Sequence, residues 1–123
     1  FLFIATVSGM GALTRSPFGV MRKDEHIRNM LYQTAHEIVT IANAKGIGLT
    51  NDDIGMILKA VDNLIPETTA SMQRDIMEGR PSELDNFNGY IVKMGKQPHI
   101  STPINAFTYY CLLPQEKKAR KQL

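Results

Sequence analysis

Cysteine is nearly missing from this chain. The single Cys111 in 123 residues permits no internal disulfide, which fits a reducing, cytoplasmic setting. The three histidines, His26, His36 and His99, stand at no metal-ligand spacing, and no Cys-x-x-Cys occurs, so a zinc site is not expected. Charge of one sign is scarce as well: the net charge of +2 gives no ground for a nucleic-acid partner. The longest apolar run, FLFIATVSGMGAL, has thirteen residues, too few to cross a bilayer, and it lacks the basic flank of a signal peptide, so no membrane association is expected. Glycine-rich phosphate loops are absent. Gly9-Met10-Gly11 has no third glycine at the dinucleotide spacing and follows no strand, and there is no Walker, Gly-x-Ser-x-Gly or His-Glu-x-x-His motif. Sustained two-residue alternation is missing too, so strands are not expected. No internal repeat or low-complexity tract is present.

What remains is helix. With 43% hydrophobic and 21% charged residues, the length suits one domain with a real core. Residues 1–14 read as a buried helix, with Gly9 and Gly11 marking where another group approaches closely. This head has no start methionine and no capping residue, so it reads as a helix entered midway and the chain as the later part of a longer protein. Pro17 and Gly19 punctuate a break. Ile27, Met30, Leu31, Thr34, Ala35, Ile38, Val39 and Ala42 then follow helical spacing from Asp24-Glu25 to Gly46. A third helix begins near Thr50 or Asn51, carries Ile54, Ile57, Leu58, Val61 and Leu64, and ends before Pro66. A fourth covers 67–78. After Pro81 the chain restarts as a fifth, with Ser82 as N-cap, a capping-box-like Asp85, and an apolar arc of Leu84, Phe87, Ile91 and Met94. In the last helix Ile104, Phe107, Tyr110 and Cys111 share one side. The expectation is a single all-α domain of about six helices spanning 1–123.

Few residues stand out chemically. Ser71 lies at the start of the fourth helix, where free N–H groups point outward. Glu83 falls at the edge of an apolar arc near a helix start, as either a dipole partner or a working group. Asn88 falls inside that arc and needs its amide satisfied, which favours a buried structural hydrogen bond. Gly89 points away from the arc and has no evident packing role. Lys117, Lys118, Arg120 and Lys121 near the C-terminus suit the negative end of a helix dipole, and the seven methionines read as core filler.

The run TTASMQRDIMEGRPSELDNFNGYIVKMGKQ, followed by TPINAFTYYCLLPQE and preceded by the head FLFIATVSGMGALTRSPFGVMR, resembles the C-terminal domain of the ketopantoate reductase (2-dehydropantoate 2-reductase) family. The resemblance implies a two-domain dehydrogenase whose N-terminal Rossmann domain, absent from this chain, binds NADPH. Its helical domain closes over a 2-oxo acid substrate, reduced to the 2-hydroxy acid in pantothenate biosynthesis. It implies a proton-donating lysine immediately before Phe1, Ser71 as a substrate-binding serine, and Glu83 as a contact to the cofactor and to that lysine. Where family members place substrate-binding asparagines this chain has Ile4, Ser8 and Phe18. Serine can still donate a hydrogen bond and the other two cannot, which leaves a related 2-oxo acid as an alternative to ketopantoate. A non-catalytic helical interaction domain is the competing reading, with Ile4 and Phe18 as parts of an apolar surface. Uncovering Phe1, Leu2, Phe3, Ile4 and Val7 implies self-association, most simply as a homodimer.

Overall fold

A helix that is apolar on every side has to be surrounded. In the computed structural model, which describes residues 1–123, α1 (Leu2–Thr14) is buried without interruption from Ala5 to Ala12. It is packed by α3 (Glu25–Ala44), α5 (Ser71–Met77) and α7 (Pro103–Ala119). The remaining elements are α2 (Phe18–Met21), α4 (Asn51–Asn63), a 3₁₀ turn at Leu84–Asn86 and α6 (Asn88–Lys96). The fold is all-α, with seven α-helices rather than about six and no strand. No helix is long and apolar enough to cross a membrane.

The long stripe of α3 behaves as its spacing predicts. Asp24 accepts the His26 and Ile27 N–H groups at 2.9 and 3.0 Å, capping the helix, and Leu31, Thr34, Ala35, Ile38 and Val39 are buried. Each large apolar side chain on it contributes roughly 1.5–3 kcal/mol. α4 starts at Thr50, whose N–H donates to Asp53 at 2.8 Å, and ends where Arg22 donates to the Leu64 carbonyl at 2.7 Å.

Four details differ from the sequence expectation, each for a tertiary reason. The break at Pro17 contains a helical turn, α2, because Phe18 enters the core beside Val7, Met10, Met21, Leu31 and Val61. Its backbone N–H and that of Gly19 are taken by the carbonyls of Thr68 and Pro66, a pairing that also keeps 66–70 out of α5. The segment after Pro81 is not yet α-helix: it forms the 3₁₀ turn, and α6 begins only at Asn88. In α7 the buried side is Asn105, Thr108, Leu112 and Glu116, while Phe107 (64% exposed), Tyr110 and Cys111 face outward. Finally, Val7 is core rather than part of an exposed head, although Phe1 and Ile4 are exposed.

The glycines of α1 are occupied as expected, by side-chain amides. A Cβ on Gly9 would lie 2.2 Å from Asn88 Oδ1 and 2.8 Å from Thr108 Cγ2, and one on Gly11 would lie 2.4 Å from Gln73 Oε1. Gly9→Ala therefore gains about 1 kcal/mol of helix propensity and loses more through overpacking, typically 1–3 kcal/mol, plus about 1 kcal/mol for a displaced Asn88 hydrogen bond. A net destabilisation of about 1–3 kcal/mol is expected in urea unfolding. Gly55→Ala in α4, where nothing lies within 4 Å of the new methyl, should stabilise instead; the same sign for both would refute the packing argument.

Candidate functional site

Glu83 occupies a turn whose backbone is held from one side by α7. Glu116, buried at 2% exposure, accepts the Ser82 N–H at 3.0 and 3.1 Å and the Ser82 hydroxyl at 2.6 Å. Arg120, one turn further on, donates to Glu116 at 2.6 Å and to the Ser82 carbonyl at 3.0 Å. Every hydrogen-bonding group of Ser82 is thus engaged, and its Oγ also accepts the Leu84 N–H at 3.2 Å. Asp85 does not complete a capping box. Its carboxylate accepts the Tyr109 hydroxyl at 2.6 Å instead, because α7 brings that phenol within reach. Gly89 makes room for the same ring: a Cβ there would meet Tyr109 Cε1 at 2.8 Å. Its packing role, unseen in the sequence, lies towards α7 rather than towards the apolar arc.

Between these two anchors the Glu83 side chain is exposed. One carboxylate oxygen accepts from Asn86 Nδ2 at 2.8 Å, and no cation pairs with it among the ion pairs. Glu83 precedes a three-residue 3₁₀ turn, so the dipole of a full α-helix is not what holds it. Its carbonyl accepts the Phe87 N–H at 3.1 Å, and the Phe87 ring meets Phe1 edge-on at 6.0 Å. Phe1 also meets Tyr90 at 6.2 Å. The N-terminal end of α1 and the Glu83 turn are therefore neighbours.

The other candidates are spread out. Ser71 is exposed at the first position of α5, near the corner where Gln73 Nε2 donates to the Ser16 carbonyl at 3.2 Å. Ser8 is buried in α1 and its hydroxyl has no partner, an uncommon state for a buried polar atom. Ile4, one turn earlier on the same face, is 41% exposed. Phe18 is a core residue and faces no opening. No hydrogen bond joins Ser8, Ser71 and Glu83, and none of them lines the five clefts around Phe1, Arg15, Phe3, Pro17 and Asn29. The main apolar cleft, about 520 Å³, lies beside Phe1 and Leu2, between Ile38 and Ile41 of α3 and Tyr90 and Met94 of α6, with Lys45 its one charged residue. No group of three His, Cys, Asp or Glu side chains could hold a metal.

Two carboxylates central to the geometry, Glu37 and Glu116, escaped the sequence reading. Glu37 falls beside Met30 and Thr34 at the edge of the apolar stripe of α3, and that position was the available signal. For Glu116 the run QEKKARK masked it as one more solvated charge. Arg120 is likewise no free cation of a basic tail. Arg15, Lys118 and Lys121 line a cleft where the C-terminal ends of α1, α5 and α7 come together, and cations suit the negative dipole ends there.

Comparison with known proteins adds a second line of observation. The sequence family described as "Ketopantoate reductase PanE/ApbA C terminal" matches residues 1–116. The chain is 24% identical over 112 residues to a 2-dehydropantoate 2-reductase of Pyrobaculum aerophilum, covering 91% of this chain and 40% of that protein. It is 30% identical over 105 residues to the 2-dehydropantoate 2-reductase of Caulobacter vibrioides, covering 85% and 36%. The chain thus spans about two fifths of the length of the curated relatives it matches. Among solved structures, a dimeric ketopantoate reductase from Staphylococcus aureus superposes with a TM-score of 0.90 at 21% identity, covering 96% of this chain and 41% of that one. A D-mandelate dehydrogenase in a ternary structure with NADH and anilino(oxo)acetate superposes at 0.85 and 22% identity, covering 97% and 39%. These likenesses in structure are likenesses of fold.

The anchoring of the Glu83 turn has a pH signature. The Asp85 carboxylate that accepts the Tyr109 hydroxyl, helped by burial, pushes the Tyr109 pKa up to about 12. The folded value lies above the unfolded value of about 10. The contribution of this contact is therefore complete below about pH 10 and is lost as pH rises through about 12. Spectrophotometric titration should show one of the four tyrosines ionising late, and Tyr109→Phe should remove that late step. Four tyrosines ionising together near pH 10 would contradict the Asp85 contact.

Proposed function

The chain belongs to the ketopantoate reductase family, as its helical C-terminal domain, and we propose that it is the substrate-side half of a nicotinamide-dependent reductase that converts a 2-oxo acid such as 2-dehydropantoate to the 2-hydroxy acid. NADPH, bound mainly by an N-terminal Rossmann domain, supplies the hydride. Glu83 accepts hydrogen bonds from the cofactor and from a lysine ammonium immediately ahead of Phe1, and that lysine gives the proton to the developing alkoxide. Ser71 donates a hydrogen bond to the substrate, and the Ser8 hydroxyl, buried without a partner, is left over for the same use.

The observation that carries this reading is the adjacency of the N-terminal end of α1 to the Glu83 turn, through Phe1, Phe87 and the Glu83 carbonyl. A lysine just before Phe1 would enter the domain at the end of α1 that meets Phe87, the residue closing the Glu83 turn. The Glu83 carboxylate fits its part: it is exposed, unpaired with any cation and bonded by one amide alone, so acceptor capacity remains. Ile4, exposed on α1, contributes shape without a hydrogen bond, which favours a 2-oxo acid with an apolar side chain over one rich in hydroxyls; Phe18, enclosed in the core, takes no part. The outward stripe of Phe107, Tyr110 and Cys111 on α7 supports a homodimer, in which such a stripe would be covered.

Two experiments test the proposal. The chain alone, with NADPH or NADH and a panel of 2-oxo acids including ketopantoate, should show no turnover above background; clear turnover would refute the division of labour between domains. In the two-domain protein, Glu83→Ala removes charge-assisted contacts of about 1.5–3 kcal/mol each. A fall in kcat/KM of about ten- to a hundredfold is expected, with the melting temperature almost unchanged because Glu83 packs against nothing in the core. Wild-type kinetics in that variant would sink the assignment of Glu83.

A further inference from the structure

An exposed turn needs little to hold it in place, yet the turn carrying Glu83 is fastened on both sides to one helix. Ahead of it, Ser82 gives its N–H and hydroxyl to buried Glu116 and its carbonyl to Arg120. Behind it, Asp85 accepts the Tyr109 hydroxyl, while Gly89 lets that ring lie close to the start of α6. The Glu83 side chain takes no part in this scaffold. Its one contact is Asn86, within the same turn.

We propose that Glu116, Arg120 and Tyr109 of α7 are positioning residues for Glu83, fixing the direction in which its carboxylate meets the cofactor. The inference rests on the reading of Glu83 given above and extends it to three residues that touch neither ligand. Physically, the clasp removes backbone freedom at 82–85 before ligand arrives, so the ordering cost is not charged against cofactor binding. The ion pair of Glu116 with Arg120 is what lets a carboxylate stay buried there: four donor contacts converge on it, from the Ser82 N–H to both oxygens, from the Ser82 hydroxyl and from Arg120. A purely structural clasp would stabilise the fold and leave the chemistry of Glu83 untouched, and the two roles separate in a double-mutant cycle.

The test uses the two-domain protein, with NADPH affinity followed by the cofactor's fluorescence and kcat/KM measured with NADPH as the varied substrate. Tyr109→Phe keeps the ring and deletes the bond to Asp85; Glu116→Gln keeps the volume and deletes the charge. Each should weaken NADPH binding and lower kcat/KM about three- to tenfold when Glu83 is present. Each should have less than a twofold effect in the Glu83→Ala background, while the loss in melting temperature is the same in both. Equal effects in the two backgrounds, or wild-type affinity in Tyr109→Phe, would overturn the proposal. If Glu116→Gln does not fold, Tyr109→Phe decides alone. A Glu83→Ala protein with wild-type affinity and kinetics would remove the premise itself, an outcome distinct from additivity between Glu83 and α7.

Discussion

A buried carboxylate without a cation organises this fold. Glu37 of α3 forms no ion pair, yet it is enclosed, a situation that costs several kcal/mol unless donors converge on the charge. Three do. The backbone N–H groups of Ile104 and Asn105 donate at 2.9 and 3.0 Å, and Asn105 Nδ2 at 2.8 Å. The first turn of α7 therefore has its free N–H groups capped by a side chain 67 residues earlier in the chain. Helix needs a cap and carboxylate needs donors, and each requirement is met by the other. The contact then propagates: Asn105 Oδ1 accepts from Asn88 Nδ2 at 2.9 Å, and Asn88 Oδ1 lies against Gly9. In this way α3, α7, α6 and α1 share one polar seam through an otherwise apolar interior.

The far end of α7 repeats the arrangement with the roles exchanged. There the helix supplies the buried carboxylate, Glu116, and a loop supplies the donors. A helix that buries Glu116 and Asn105 at its two ends must turn Thr108 and Leu112 inward as well, since all four lie on one face. Phe107, Tyr110 and Cys111 are then left outside. The polar seam decides the rotation of α7 against the preference of its apolar residues for burial. It also decides where the Glu83 turn can be, because that turn is tied to Tyr109, Glu116 and Arg120 of the same helix.

Much of this could be read directly from the residues. The burial of α1 follows from a run apolar on every side, the stripe of α3 from unbroken helical spacing with Asp24 at its start, and the close approaches at Gly9 and Gly11 from glycine inside a buried helix. Asn88 inside an apolar arc correctly announces a buried hydrogen bond. The family follows from the Ser71 to Gly89 run and its flanks. These features are local, or depend on a single helix and the fact that a core exists, and a one-dimensional pattern carries that information.

Other features depended on which partner arrived across space. Ser82 reads as the N-cap of an α-helix until Glu116 and Arg120 take its hydrogen-bonding groups, and the segment becomes a 3₁₀ turn. Asp85 reads as half of a capping box until Tyr109 offers a hydroxyl. Gly89 looks idle until the Tyr109 ring lies over it, and α7 looks like a helix that buries Phe107 and Tyr110 until Glu37 captures its N-terminus. By itself, then, the sequence determined where the long helices α1, α3, α4 and α7 form, that α1 is buried and which family the chain belongs to, because periodicity and motif are properties of neighbouring residues. The rotation of α7, the conformation of the Glu83 turn and its adjacency to Phe1 were decided by the tertiary structure alone, because buried charges choose their partners by proximity and desolvation, and neither quantity exists until the chain has folded.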